Sequence, residues 1–537
     1  MSYPDSKNPY SFDPFLDWRE NCDFYAEDPF ARKAVRVFTG EHAAEVGAAA
    51  REISKKVSFR WRKMAEAIAW PEKRPWMMHY DGHNNRIDRI VRPNETEAME
   101  QEVFGEALFS DKTHPWVRFI KMYLIYQNGE ACISCPLTCT EGMVAVLDRF
   151  ADTPETRAIL NHCKEGENGH FAIGAQYLSE IQGGSDVKAN LLEARRENGQ
   201  WRLYGTKFFC SATHADYAMV TAKPMDSEKV GLFVMPSWLP GDKVRERRNG
   251  FIIDRIKWKM GTSELTTAEM TFDGALAYPV GPLERGLANM IGIVLTYSRL
   301  TVGLSGGASM MRAWREAARY CEFREAFGFT IGHMPMVAGQ LKTIEKAAKR
   351  TLAGAFKLYA DILALPGGFV RGADAKESDD LKRRRFAIRE LIMLQKMATS
   401  FDAPDVLRLA ISLFGGHGVM EDFSALPRLY RDAAVNELWE GPRNVLLAQV
   451  YRDLAGASAW YAPDRFVADI LAGAPEDRVK EFQEEIAAIL SGPGLFEPGL
   501  AAEKNCARWD RFCHRLFHAY QDIAAAMIQT DQDRIRI

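Results

Sequence analysis

The spacing of apolar residues divides the chain into three textures. Across residues 31–149 they recur at three and four, as at Trp116, Ile120, Tyr123 and Leu124, which predicts a helical block. Near Gly169 the pattern shortens. HFAIGAQYLSE, QWRLYGTKFFC, YAMVTAK and VGLFVMP are β-prone runs parted by Gly, Asn, Ser and Asp, and they predict a compact antiparallel β domain ending around Pro282. Helical spacing returns at Gly286, and Val337, Leu341, Ile344, Ala348, Leu352 and Ala355 fall on one stripe of a long helix between Pro335 and Pro366. Residues 365–380 carry Pro, Gly and charge at loop density and separate two such helices. Residues 453–537 are again helical, with breaks at Pro475, Pro493 and Pro498, and read as an add-on. The expected fold is mainly α with a central β domain: residues 1–167 helical, 168–285 β, 286–452 a helical bundle, 453–537 a helical extension.

Composition excludes several partner classes. With 47% hydrophobic residues, 26% charged and a formal net charge of -3, nothing points to nucleic acid or anionic lipid. Asp and Pro interrupt residues 1–21 where a secretory signal needs an apolar core, and no 18-residue apolar run occurs, so neither export nor a membrane span is expected. Nine cysteines without paired spacing fit a reduced, cytoplasmic protein. Cys132, Cys135 and Cys139 would share a helical face, but no fourth ligand stands at metal-site spacing; they read as small packing residues, and no metal is expected.

Four segments carry candidate chemistry. In YLSEIQGGSD, residues 177–186, the glycines allow close backbone approach to a ligand and the Ser179 and Ser185 hydroxyls offer short hydrogen bonds; a polar hairpin loop would look the same. A strand pattern follows, so this is not the dinucleotide fingerprint that opens a helix. In GTKFFCS, residues 205–211, alternation sends Phe208 and Phe209 to opposite faces, one inward and one available to a ligand. REAFG, residues 324–328, sets a planar cation, Arg324, before Gly328, which is expected to end the preceding helix; taken alone, a surface ion pair explains it better. Lastly, FGGHGV (414–419) exposes backbone N–H groups suited to anionic oxygens, and LWEG (438–441) places the Glu440 carboxylate between an aromatic ring and a glycine. Partial burial against an aromatic suits a carboxylate to act as base toward a weakly acidic C–H.

The order and separation of these motifs resemble the acyl-CoA dehydrogenases over nearly the whole chain, and within that family most closely the branch of the alkylation-response flavoprotein AidB, including YDGHNNRID at residues 80–88. The resemblance implies a helical N-terminal domain, a β middle domain and a C-terminal four-helix bundle, with FAD as cofactor. It implies that Leu178, Ser179, Gly184 and Ser185 hold the flavin ring and pyrophosphate, and that Phe209 and Ser211 cover the isoalloxazine. Arg324, Phe327, Gly415 and Gly416 would reach the FAD of a neighbouring subunit in a homotetramer, and Asn444 its adenine end. Ser134, Thr296, Tyr297, Arg299 and Gly441 would line the acyl-CoA site. Glu440 would take the α proton while the β hydrogen leaves as hydride to flavin N5, and an electron-transfer flavoprotein would collect the electrons. The family's other location for a base carries Ser298, which cannot serve. Ser412 replaces a common glutamine and Pro442 a common Thr or Ser, so one cofactor hydrogen bond is missing or moved. Two alternatives on the same fold are a DNA-associated protective flavoprotein and an acyl-CoA oxidase or flavin monooxygenase. Residues 453–537 hold nine Lys or Arg against fourteen Asp or Glu, which disfavours DNA.

Overall fold

The computed structural model describes residues 10–369 and 377–535. Residues 370–376 of the expected loop, the first nine residues of the N-terminal segment and the last two of the extension lie outside the described residues. The chain forms two compact units, each drawing on several of the expected segments. One comprises Met1–Arg60, Ile120–Gln127 and Val302–Ile537, the other Trp61–Phe119 and Asn128–Thr301.

The second unit is built on a closed sheet. Its strands are β3 (Gly174–Tyr177), β4 (Glu193–Glu197), β5 (Gln200–Ser211), β6 (Tyr217–Pro224), β7 (Gly231–Pro236), β8 (Phe251–Ile256) and β9 (Thr267–Pro279). β4 pairs with β5, β5 with β9, β9 with β7, β7 with β6, and β6 with β4, so the ring closes and leaves β3 and β8 attached at its rim. The pairing is mostly antiparallel, but β3 and β4 both run parallel to β6. β7 is buried at every position, as its unbroken apolar run requires of a strand covered on both faces.

Within residues 31–149, read as helical, the chain instead makes a hairpin of β1 (Trp76–Tyr80) and β2 (Arg86–Val91). Local turn chemistry wins there: the Asp81 carboxylate accepts the N–H groups of His83 and Asn85, both at 2.8 Å. Buried Asp88 then accepts the N–H of Ile253 at 3.0 Å and ties the hairpin to β8.

The first unit is a helical bundle. Its long helices are the part of Leu295–Phe323 from Val302 onward, then Pro335–Leu363, Asp379–Leu413 and Leu500–Ile535, joined by Leu426–Asn436 and Arg443–Ala457. Ile344, Ala348, Leu352 and Ala355 of the expected stripe are all buried. Glycines allow the helices to touch. A Cβ on Gly303 would lie 2.3 Å from Gln395 Nε2, and one on Gly354 would lie 2.5 Å from Gln521 Cγ. The latter contact corrects the reading of residues 453–537 as an add-on. The Leu500–Ile535 helix buries Trp509, Phe512, Leu516, Tyr520 and Ala524 and is a full member of the bundle, because it carries its own apolar stripe. Among the described residues one segment, Leu283–Phe323, is long and apolar enough to pass as a membrane span, but 67% of its apolar window is buried in the protein, as in a core helix.

Candidate active site

In the barrel unit the 178–186 loop is braced from beneath. Glu180 takes the N–H groups of Leu191 and Leu192 at 2.6 and 3.1 Å, and its Oε1 lies 2.8 Å from the Lys207 ammonium. Both side chains of that pair are buried. Burial pulls Lys207 down to about 8 against the attraction of Glu180. Burial pushes Glu180 the other way, but Lys207 and the Leu191 N–H outweigh it, and the carboxyl sits below its ordinary value. Lys207 and Asn190 also donate to the Leu178 carbonyl, at 3.0 and 2.8 Å, and the Phe208 N–H donates to the Ser179 carbonyl at 2.9 Å. Leu178 and Ser179 are thus fixed through their carbonyls, while Gly184 and Ser185 stay exposed; a Cβ on Gly184 would come within 3.2 Å of Ser179 Oγ.

Phe208 and Phe209 do not take opposite faces. The β5–β9 register slips between Lys207 and Cys210, and a bulge cancels the alternation. Both rings gather around Lys257, whose Nζ lies 3.3 Å from the Phe208 centroid and 4.6 Å from that of Phe209. Phe209 keeps 48% of its surface exposed, so a flat ring is still presented, backed by a cation. Ser211 Oγ is 3.1 Å from Thr267 Oγ1.

The expected acyl-CoA contacts Ser134, Thr296, Tyr297 and Arg299 also belong to this unit. The Ser134 hydroxyl donates to Gly129 O at 2.7 Å and that of Thr296 to Ile291 O at 2.9 Å; Thr296 and Arg299 are buried, whereas Ser134 and Tyr297 are half-buried. Ser298 is fully buried, donating to Val294 O at 3.2 Å and receiving Gln176 Nε2 at 3.1 Å. Near the hairpin a hollow of about 320 Å³ combines Trp76, Trp258 and Arg74 with further cations. Those further cations are engaged: Arg255 and Lys257 lie 2.7 and 2.6 Å from Glu269, and Lys259 donates to Leu265 O at 2.9 Å.

The bundle unit carries the rest. Glu440 sits half-buried in the turn between the Leu426–Asn436 and Arg443–Ala457 helices, with φ of 58° followed by 101° at Gly441. Pro442 stands outside the next helix as its N-cap residue, and Asn444 is exposed in its first turn. Gly415 and Gly416 are exposed, and a Cβ on either would meet nothing within 4 Å, whereas one on Gly418 would strike Ile411 O at 2.1 Å. Only the first two of these glycines therefore leave their backbone bare at the surface. Ser412 turns its hydroxyl onto Leu409 O at 2.7 Å. Gly328 does not end a helix: the helix stops at Phe323, and Phe327-Gly328 form the tip of a small hairpin of β10 (Glu325–Ala326) and β11 (Phe329–Thr330), both at positive φ. Phe327 at that tip is 91% exposed, and Arg324 lies 4.4 Å from the Tyr10 ring centroid.

Among the described residues, two clusters bring metal-ligating groups together, Glu100, Cys132 and His214 in the barrel unit and Asp402, His514 and His518 in the bundle. An arginine stands in each: Arg92 Nη1 is 2.5 Å from Glu100, and Arg350 Nη2 is 3.0 Å from His518 Nε2. A guanidinium already supplies the positive charge, so both read as ion-pair networks. Cys132 accordingly faces Glu100 at 3.6 Å rather than Cys135 and Cys139, whose sulfurs lie 3.8 Å from each other.

Two family models match the chain: the acyl-CoA dehydrogenase middle domain over residues 175–275 and the C-terminal domain over residues 284–455, together just over half of its length. Acyl-CoA dehydrogenase family member 11 of Caenorhabditis elegans is 28% identical over 477 residues, covering 84% of this chain and 72% of that protein. The putative acyl-CoA dehydrogenase AidB of Escherichia coli is 26% identical over 401 residues, covering 71% and 69%. The fold is shared with C. elegans ACDH-11, solved in complex with C11-CoA, at a TM-score of 0.79 and 23% identity over 94% of this chain and 90% of that one. The residues of the barrel unit also fit the family's cofactor: a glycine-serine loop fixed through its own carbonyls and a half-exposed aromatic ring on β5. On this footing the chain belongs to the acyl-CoA dehydrogenase family, with an AidB-like relationship, and is an FAD-dependent oxidoreductase.

Proposed function

We propose that the protein oxidises the Cα–Cβ bond of an acyl-CoA thioester, with Glu440 as the base. The observation that carries this reading is the Glu440 turn. A non-glycine residue at φ 58° costs on the order of 1 kcal/mol and persists where its surroundings over-determine it. Glu440 takes the α proton to its carboxylate. Main-chain N–H, that of Glu440 in the family's pattern, meets the charge developing on the thioester oxygen. FAD, when bound, supplies the acceptor for the β hydrogen as hydride, so a trans-2-enoyl thioester remains. Ser179, Gly184, Ser185, Phe209 and Ser211 hold and cover the cofactor; Ser134, Thr296, Tyr297, Arg299 and Gly441 border the acyl thioester.

The same reading gives Arg324, Phe327, Gly415 and Gly416 to the FAD of a neighbouring subunit in a homotetramer, and Asn444 to its adenine end. The exposed Phe327 tip and the two bare glycines support it. An electron-transfer flavoprotein takes the electrons. No disulfide joins the nine cysteines, all of which lie among the described residues, in keeping with a reducing cytoplasm. The DNA-associated reading draws no support from the 453–537 segment: Arg508 and Arg515 lie 3.6 and 2.9 Å from Glu485.

Anaerobic mixing with an acyl-CoA panel, starting at the eleven-carbon chain that ACDH-11 carries, should bleach the flavin. Glu440→Gln should slow bleaching by about 10²- to 10⁴-fold while FAD stays bound. Bleaching by none of the thioesters would refute the assignment, and rapid peroxide formation in air would move it to an oxidase.

A further inference from the structure

We infer that Lys396 is the positioning residue for Glu440, an inference that rests on Glu440 being the base. Lys396 lies in the middle of the Asp379–Leu413 helix and is 1% exposed. A buried ammonium is costly unless its hydrogens are used. Two of its bonds go to one turn: Nζ donates to the Glu437 carbonyl at 3.0 Å and to the Gly441 carbonyl at 2.7 Å. Those carbonyls bracket Leu438-Trp439-Glu440.

Each end of the bracket needs a cation for its own reason. Glu437 is the C-cap of the Leu426–Asn436 helix, where unpaired carbonyls and the helix dipole favour positive charge. The peptide joining Gly441 to Pro442 has no N–H, so the Gly441 carbonyl is its only hydrogen-bonding group. Without Lys396, the Gly441 carbonyl would lose the donor that fixes the peptide plane after Gly441, and the left-handed pair Glu440-Gly441 would rotate more freely. Because Pro442 brings no N–H of its own, the anchoring of this turn falls to Lys396. Lys396 acts through Glu440 and is not itself a catalytic residue.

The test uses the full FAD-loaded protein. Lys396→Met keeps an unbranched stem and removes the donors; Lys396→Arg keeps charge and donors. In Lys396→Met, backbone amides of residues 438–441 should exchange with deuterium about tenfold faster. The limiting rate of flavin reduction by eleven-carbon acyl-CoA should fall about 100-fold, with little change in the half-saturating concentration. FAD content should hold, and Lys396→Arg should recover most of both readouts. Normal exchange and a normal limiting rate in Lys396→Met would overturn the inference, as would loss of rate, FAD and thermal stability together in both variants, which marks a folding role only. Should the Met protein not retain FAD, Lys396→Gln takes its place with the same outcomes. Glu440→Gln is run alongside: if it still reduces the flavin, the base assignment fails, whereas amide exchange judges the Lys396 bracket independently.

Discussion

The 178–186 loop of the barrel unit and the Glu440 turn of the bundle unit are braced by opposite charges. Glu180 holds the loop by accepting main-chain N–H groups, and Lys396 holds the turn by donating to main-chain carbonyls. The sign follows from which backbone groups each segment leaves unpaired. Residues 191 and 192 enter β4 with N–H groups to satisfy, whereas the turn begins at a helix C-terminus, where carbonyls are left over. Glu180 is answered by a second buried charge, Lys207, so the barrel loop rests on an ion pair; Lys396 reaches its turn through two main-chain carbonyls.

The sharpest way to break the comparison is to remove Lys207. Lys207→Met leaves Glu180 buried beside an apolar chain and should destabilise the barrel unit by about 3–5 kcal/mol, with loss of bound FAD, measured by urea unfolding and flavin absorbance. A cost near zero would mean that the ion pair does not brace the loop. Acid offers a second test, because the barrel also holds Glu100 between Arg92 and His214. Burial pushes that carboxyl up, but His214 and Arg92 bring it from the ordinary 4.5 to about 2. Between those values the unfolded chain binds the proton first, so the stabilisation is whole above pH 4.5 and is lost as pH falls through 2. Glu100→Gln should remove up to about 3 kcal/mol at neutral pH and shrink the difference from the parent protein as unfolding is followed from pH 7 down to 3. The smallest effect belongs to the bundle surface. Arg515→Ala, breaking exposed pairs to Glu481 and Glu485, should cost less than about 1 kcal/mol in thermal unfolding, and a larger loss would show surface charge holding the 500–535 helix.

The candidate segments stood out in the sequence because they are local. Two glycines with two serines, a paired glycine after a long helix, and a glutamate before glycine announce themselves within a few residues, whatever surrounds them. The braces were not legible. Lys396 meets Gly441 across 45 positions and Glu180 meets Lys207 across 27, and a lone Lys in a helix or strand gives no signal that it will be buried. The β1–β2 hairpin was missed although Asp81-Gly82 and the two asparagines after it spelled a turn, since the flanking runs are too short to show alternation. The bulge at Phe208-Phe209 is a property of the strand's pairing with β9 and has no mark in the sequence.

Period and local turn chemistry, written residue by residue, therefore determined the succession of helices and strands and named Glu440 as the carboxylate to examine. Tertiary structure alone decided which backbone groups would be left unpaired at each loop and which distant charge would meet them. Burial makes that choice, because desolvation costs a charged group so much that it stays inside only where the fold has already aimed hydrogen-bonding partners at it.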